Sequence, residues 1–268
     1  MTPNTQRIAV GLEYDGTDFV GWQVQRAGRS VQGALEAAVS AVADERISVT
    51  GAGRTDAGVH ARCQVAHFDT RAQRTSRQWL LGINSNLPED VAVHWVRHPD
   101  ADFHARRSAT ARRYRYRILE RKTRSALLRH RSWWCRGTLD CAAMTAAACS
   151  LLGERDFSSF RAAGCQSKTP MRRLTTVALH RAGGLLHLEF EANAFLQHMV
   201  RNLVGVLVEV GRGAAPPGWA AEVLAARDRT RGGVTAPPQG LTLVGVRYPP
   251  RYGLPPPGRA ISGSVNRP

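Results

Sequence analysis

The hydrophobic pattern of this chain runs twice through a similar series of strands and helices, and this repetition most restricts its fold. In the first series, alternation predicts strands over residues 8–14, 47–50, 64–69 and 91–96, and helical periodicity predicts helices over 31–43 and 76–83. After a junction near residue 108, strands are predicted over 112–119, 175–179, 185–191 and 241–246, with helices over 139–152, 197–210 and 218–227. This order favours an α+β fold in which helices back antiparallel sheets.

We expect two similar halves that meet at a cleft, although no residue-level repeat relates them. The predicted boundaries are an N-terminal half, 1–108, a C-terminal half, 109–248, and a proline-rich tail, 249–268. Only the N-terminal half carries an Arg-Thr-Asp string, at 54–56. The simplest expectation is one catalytic pocket per chain, formed where the halves meet. The tail either wraps the surface or stays loose.

The segment GAGRTDAGVH, residues 51–60, links two predicted strands and places the carboxylate of Asp56 close to the guanidinium of Arg54. Its glycines at 51, 53 and 58 allow unusual backbone dihedrals and a close approach to a ligand. An ordinary turn or helix cap explains many aspartates beside glycine, and this reading stays open for the loop alone. A functional carboxylate at the rim of a sheet is the competing hypothesis.

The charge composition indicates a polyanionic partner. Lys and Arg number 37 against 21 Asp and Glu, a formal net charge of +16, and the lysines are Lys122 and Lys168 alone. Guanidinium groups grip phosphate bidentately and stack on bases, so nucleic acid is the first candidate partner. A GC-rich genome also favours arginine codons. An anionic membrane surface fits less well, because no long cationic amphipathic helix is predicted.

Neither a metal nor a nucleotide cofactor is predicted. The five cysteines form no CxxC pair, and the histidines at 60, 67, 104 and 198 form no HxxxH pair. The glycine loop lacks the lysine and hydroxyl of a nucleotide-binding P-loop, so no ATP requirement is expected. No apolar stretch approaches the roughly 18 residues of a membrane span, and the N-terminal segment has no signal core. These features favour a cytoplasmic protein with reduced thiols.

Several separated blocks occur in an order that resembles the tRNA pseudouridine synthase A family. They are YDGTDFVGWQVQ at 14–25, GAGRTDAGVHA at 51–61, FHARRSATARRYRYRI at 103–118 and NAFLQHMVRNLVG at 193–205. The resemblance implies the pseudouridine synthase fold and an isomerase that converts uridine to pseudouridine at positions 38, 39 and 40 of the tRNA anticodon stem-loop. It also implies no cofactor, no metal and a symmetric homodimer.

The resemblance assigns roles to four residues. Asp56 matches the catalytic aspartate, acting on the ribose as a nucleophile or through proton transfer. Arg54 assists flipping of the target base, although a plain phosphate contact is an alternative. Arg201 pairs with Asp56 and orients it, or else contacts RNA phosphate or solvent. Tyr114 holds the extracted uracil. Alternation alone places Tyr114 and Tyr116 on the same strand face and does not show which of them contacts the base and which packs in the core.

Basic segments near these residues predict a track for RNA phosphates. Four of their members are the expected substrate-binding side chains: Arg112, Arg113, Arg161 and Lys168. Each of them is equally well explained as a solvated surface charge when considered singly. Together they predict binding that weakens steeply with salt.

Two other functions compete with the isomerase hypothesis. A non-catalytic RNA-binding protein or tRNA chaperone on the same fold would use the basic surface alone. A hydrolase with the same carboxylate would cleave the glycosidic bond and release free uracil. Substitution of Asp56 distinguishes an RNA-binding protein from an isomerase, because only the isomerase would lose its activity. The mass of the product distinguishes a hydrolase from an isomerase.

Overall fold

The computed structural model describes residues 5–256. Ten strands occur in this part of the chain: β1 (Gln6–Tyr14), β2 (Thr50–Gly51), β3 (His60–Thr70), β4 (Val91–Arg97), β5 (Ala111–Glu120), β6 (Trp133–Cys135), β7 (Gly153–Asp156), β8 (Met171–Ala182), β9 (Leu185–Ala192) and β10 (Leu241–Arg247). Five helices accompany them: α1 (Val31–Ala43), α2 (Ser76–Asn86), α3 (Cys141–Cys149), α4 (Met199–Gly211) and α5 (Trp219–Ala226). The α+β class is thus confirmed.

All ten strands belong to one continuous sheet, and it is mixed where antiparallel sheets were predicted, since β10 runs parallel to β3 and β6 runs parallel to β5. The order is β4-β1-β3-β10-β5-β9-β8-β7, with β2 beside β3 and β6 beside β5. The last strand, β10, returns to lie between β3 and β5, parallel to the former and antiparallel to the latter. Strands from both predicted halves therefore share one hydrogen-bonded framework, while the boundary near residue 108 stays a prediction.

Local capping explains where the helices begin. Ser30 accepts a hydrogen bond from the Gly33 amide at the start of α1, and Asp140 caps α3 in the same way. Thr75 and Gln78 form a reciprocal capping box at the start of α2. Because Asp140 is the cap, α3 begins later than the predicted 139.

The core lies between the sheet and these helices. Leu35 of α1 and Ile83 of α2 are fully buried, and the Trp79 ring meets Phe68 edge-on at 5.3 Å between centroids. Helix α4 is buried along almost its whole length. Such a helix, covered on all sides, can carry a polar side chain only where that side chain finds a partner.

Several predicted boundaries were wrong for identifiable reasons. Of the predicted strand at 47–50, only Thr50 lies in a strand, because the pairing of β2 with β3 covers just Thr50 and Gly51. Helix α4 begins at Met199 and not at 197, since His198 has a φ of 63°. The short strands β6 and β7 were missed, as three or four residues carry too little periodicity.

Part of the proline-rich tail lies against the body of the protein. Pro250–Tyr252 forms a 3₁₀ turn, and the Tyr252 ring packs against Phe103 at 5.1 Å between centroids. The rest of the predicted tail, 257–268, lies outside the described residues. None of the helices within residues 5–256 has the length and apolar character needed to cross a membrane.

One buried histidine makes stability depend on pH. Burial, together with the nearby charges of Arg7 and His104, lowers the pKa of His67 to about 4. Its Nδ1 accepts a hydrogen bond from the Ala105 amide at 3.2 Å, which requires a neutral ring nitrogen. An unfolded chain takes up this proton near its ordinary pKa of about 6.5, so folding stability is lost as the pH falls from there towards 4.

We therefore expect a His67→Asn variant to lose less thermal stability than the wild type between pH 7 and pH 5. The asparagine oxygen can still accept from the Ala105 amide but cannot take up a proton in this range. Unfolding midpoints at three pH values measure the difference. The exposed His130→Asn is the matched control, and equal slopes for all three proteins would contradict this role of His67.

Candidate active site

The loop that carries Asp56 connects β2 to β3 and is held from both sides. The Tyr14 and Thr55 hydroxyls lie 2.8 Å apart, and the Trp22 amide donates to the Thr55 carbonyl at 3.0 Å. Gln64 donates from its side-chain amide to the Gly53 carbonyl at 2.9 Å. These bonds tie the loop to two strands, so Asp56 stands on a rigid support.

Glycine is required at two positions of this loop. A Cβ on Gly51 would lie 2.6 Å from a ring carbon of Trp22, and Gly58 has a φ of +75°. Gly53 differs from the expectation, because its φ is not left-handed and an added Cβ would meet open space. The loop therefore needs glycine for packing and for one turn.

Asp56 faces the beginning of α4. Arg201 Nη1 lies 3.1 Å from Asp56 Oδ2, and Arg201 Nε donates to the Ala236 carbonyl at 2.7 Å. His198 Nε2 lies 3.5 Å from the same carboxylate oxygen. The positive end of the α4 dipole and the guanidinium both favour a negative charge at this place. The carboxylate is held in one orientation while 22% of its side chain stays exposed.

Strand β5 carries Tyr114, which lines the same cleft as Asp56, and Tyr116. The two tyrosines have different surroundings. The Tyr116 hydroxyl donates to the Pro237 carbonyl at 2.7 Å. The Tyr114 hydroxyl has no hydrogen-bond partner among the described residues, and its ring meets Phe195 edge-on at 5.1 Å between centroids. Burial raises the pKa of Tyr114, with smaller contributions from Tyr14 and Asp56. Tyr114 therefore keeps a neutral, uncommitted hydroxyl near the carboxylate.

Arg54 bridges two parts of the chain at the entrance to the site. Its Nε donates to the Gln23 side chain at 3.1 Å, and its Nη1 donates to that of Gln166 at 2.9 Å. Arg54 is exposed and its two partners are neutral, so little holds the guanidinium in this place. It can exchange these contacts for those of a ligand.

These side chains line a cleft with a volume of about 710 Å³. Among the described residues, its lining contains one carboxylate, Asp56, and these five arginines: Arg54, Arg106, Arg112, Arg172 and Arg201. Burial and the charge of Arg54 lower the pKa of Arg106. The cleft is large enough for a nucleotide, and its charge suits a phosphate backbone. No cluster of metal-ligating side chains occurs within residues 5–256.

Comparison with known proteins identifies the family. The sequence profile of the tRNA pseudouridine synthase family matches residues 12–106 and 147–249. The chain belongs to this family. It is 55% identical over 248 residues to a tRNA pseudouridine synthase A of Methylococcus capsulatus, covering 92% of each chain. A protein of the same name from Coxiella burnetii is 53% identical over 249 residues, covering 93% of this chain and 95% of the relative. The chain is therefore an isomerase, as the resemblance implied.

The predicted substrate-binding residues are not all in the cleft. Arg112 forms part of its wall, and its guanidinium donates to four carbonyls: Ala52, Arg106, Ala109 and Asn193. This bonding indicates that Arg112 holds the backbone around the cleft, with little donor capacity left for RNA. Its substrate-binding role stays a prediction.

The other three, Arg113, Arg161 and Lys168, are not among the residues that line the cleft. Arg113 points to the opposite face of the sheet and forms an ion pair with Glu191 at 3.0 Å. Arg161 donates to the Cys165 and Ser167 carbonyls and so shapes the loop that carries Gln166. Lys168 is exposed on that same loop. A contact between Arg113 and RNA bound in the cleft would require RNA to reach around the sheet.

Sequence reasoning missed several residues of the site. No individual role was predicted from the sequence for His198, Phe195, Gln166 or Arg172. Arg172 is buried, and its Nε has no hydrogen-bond partner among the described residues. Position within the NAFLQHMVRN and RAAGCQSKTPMRR segments was the available signal, because both adjoin residues already singled out.

The two tyrosines of β5 offer a matched pair of substitutions. We expect Tyr116→Phe to cost about 1–3 kcal/mol of stability, because the Pro237 carbonyl would lose its buried donor. Tyr114→Phe should leave stability nearly unchanged and lower the isomerisation rate about tenfold or more, as a lost hydrogen bond to the base predicts. Thermal unfolding and single-turnover rates measure the two effects. Equal losses of activity in both variants would argue against a special role for Tyr114.

Proposed function

We propose that this enzyme isomerises uridine to pseudouridine at positions 38, 39 and 40 of the tRNA anticodon stem-loop, with Asp56 as the catalytic carboxylate. One observation carries the proposal: Asp56 is paired with Arg201 and is the single carboxylate among the described residues of an arginine-lined cleft. The names of the relatives support a tRNA substrate. The resemblance in sequence supports the three positions.

The reaction exchanges one bond of the ribose for another. The bond between ribose C1′ and uracil N1 breaks, the base turns, and a bond from C1′ to C5 forms. The proton on C5 leaves and N1 gains one, so the nucleotide keeps its composition. A carboxylate suits this path by attacking C1′ or by moving a proton on the ribose, and its charge stabilises a cationic sugar in either route.

The target uridine must leave the base stack before it reaches Asp56. Flipping costs a few kcal/mol, and a guanidinium that fills the vacated space offsets part of this cost. Arg54 suits this role, since it is exposed and held only by two glutamine side chains. The extracted base would lie against Tyr114, whose hydroxyl is free to bond it.

The test is incubation of unmodified tRNA transcript with the purified enzyme in metal-chelated buffer. Pseudouridine is then located by carbodiimide modification and primer extension, and released uracil is measured by mass spectrometry. We expect pseudouridine at one or more of positions 38 to 40 and no free uracil. Free uracil would indicate a hydrolase, and tight binding without any product would indicate an RNA-binding protein.

We also propose that the enzyme is a homodimer in the cytoplasm, where tRNA is found. Light scattering after size-exclusion chromatography is expected to give about twice the 29.3 kDa mass of one chain. The resemblance in sequence supports the dimer, and the thiols of Cys135, Cys141, Cys149 and Cys165, which form no disulfide, suit a reducing compartment. A mass of one chain at all concentrations would reject the homodimer.

A further inference from the structure

The segment between α5 and β10 runs along helix α4 towards the catalytic cleft. Its residues 232–237, the strap, contain no helix or strand. The strap lies so close to α4 that a Cβ added to Gly205 would collide with the Val234 carbonyl. Two positions further along the chain, Ala236 bonds Arg201 in the first turn of α4. The strap therefore reaches the residue that pairs with Asp56.

Ala236 holds Arg201 through two hydrogen bonds. The Ala236 amide donates to the Arg201 carbonyl at 3.1 Å, and the Ala236 carbonyl accepts from Arg201 Nε at 2.7 Å. The same guanidinium donates from Nη1 to Asp56 Oδ2 at 3.1 Å. Because a guanidinium is planar and rigid, the place of the Ala236 carbonyl affects the direction in which Nη1 points. The strap thus bears on the geometry of the ion pair.

Side chains, more than its own backbone, hold the strap in place. The main-chain amides of residues 233–235 donate no hydrogen bond to the described residues. Thr235 Oγ1 donates to Asn202 Oδ1 at 2.7 Å. Arg229 Nη2 donates to Thr235 Oγ1 at 2.9 Å and to Asn202 Oδ1 at 3.2 Å. These three side chains form a closed triangle of hydrogen bonds one residue before Ala236.

Asn202 is a fixed anchor for this triangle. It is 2% exposed, and its side-chain amide donates to the Phe160 carbonyl at 2.8 Å. A buried amide that is bonded at both its oxygen and its nitrogen cannot turn without leaving polar groups unpaired. Asn202 also follows Arg201 directly on α4, so the anchor and the guanidinium belong to one helix.

We infer that Asn202, Thr235 and Arg229 are positioning residues for the isomerisation. By fixing the strap, they hold the guanidinium of Arg201 in the direction of Asp56. None of the three is among the residues that line the cleft, so they act through Arg201 and not by contact with RNA bound there. A displacement of about 1 Å at a catalytic group costs on the order of 100-fold in rate. The inference rests on the proposed roles of Asp56 and Arg201.

Thr235 offers the cleanest substitution. Replacement of Asn202 would also release the Phe160 carbonyl, and replacement of Arg229 would change the net charge and with it the affinity for RNA. Thr235→Val keeps the shape of the side chain and removes only the hydroxyl, whereas Thr235→Ser keeps the hydroxyl. These two variants separate the loss of the hydrogen bonds from a change of shape.

The matched control is Thr230→Val, the same chemical change in the neighbouring turn. The exposed Thr230 donates its hydroxyl to Asp228 at 2.8 Å and bonds neither the strap nor α4. Its rate and tRNA affinity should equal those of the wild type. All variants are assayed below their unfolding midpoints, so differences in rate are not differences in the folded fraction.

Single-turnover rates at saturating tRNA and filter-binding titrations measure the effects. Thr235→Val is expected to lower the rate about tenfold while tRNA affinity stays within about twofold of the wild type. Thr235→Ser should restore the rate to within about threefold of the wild type. In an Arg201→Met background, Thr235→Val should change the rate less than about twofold, because the strap then has no guanidinium to hold.

Each contrary result has a distinct meaning. An unchanged rate in Thr235→Val, with Arg201→Met impaired, overturns the inference and leaves the proposed role of Arg201 intact. A tenfold loss that persists in the Arg201→Met background would show that Thr235 acts through the fold in general, and so would a Thr235→Ser variant as slow as Thr235→Val. An unimpaired Arg201→Met variant would reject the proposed pair itself, and the inference with it.

Discussion

Replacement of Asp56 by asparagine is expected to lower pseudouridine formation at least about 10⁴-fold while tRNA binding stays within about threefold of the wild type. The amide keeps the shape of the side chain and can accept from Arg201, but it is neither a nucleophile nor a base. Binding should persist, because the cleft's arginines remain and a negative charge is removed. Single-turnover assays and a filter-binding titration measure the two quantities.

The control for this substitution is Asp44→Asn, at the exposed left-handed position that ends α1. Asparagine tolerates that conformation, so stability and activity should be unchanged. Unfolding midpoints of all three proteins show whether the fold is intact. Modification at the wild-type rate by a folded Asp56→Asn variant would reject Asp56 as the catalytic carboxylate.

Replacement of Arg201 by methionine is expected to lower activity about 100-fold or more and to destabilise the fold by about 1–3 kcal/mol. The change leaves Asp56 without its cation and the Ala236 carbonyl without its donor. The cost stays below that of a fully buried pair, because part of the Asp56 side chain is exposed. Loss of orientation at the carboxylate accounts for the fall in rate.

A double-mutant cycle tests whether the pair acts as a unit. The variant carrying both Asp56→Asn and Arg201→Met should be no less active than Asp56→Asn alone. Arg201 acts by orienting the carboxylate, so its loss cannot lower the rate further once the carboxylate is gone. Arg201→Lys keeps the positive charge but lacks the planar guanidinium that bonds Asp56 and the Ala236 carbonyl together. This variant should recover part of the activity. Additive losses of activity would show that Arg201 acts independently of Asp56.

Much of the secondary structure could be predicted because its signals are local. Helix α1 agrees with its predicted range of 31–43, as apolar periodicity and the Ser30 cap lie within one short window. Strands β5 and β9 alternate clearly and were found for the same reason. The place of β10 could not be predicted, because a strand's neighbours depend on contacts with distant segments and not on its own pattern.

The sequence by itself determined the family, the arginine-rich character and the loop that carries Asp56, since these are properties of residue identity and local spacing. Only the tertiary structure decided which side chains meet. It brings Asp56 to Arg201 across 145 positions, and it separates Tyr114 from Arg113 although they are neighbours. Alternation along a strand defines two faces, but the tertiary fold decides which of them meets Asp56 and Arg201 and so becomes the cleft.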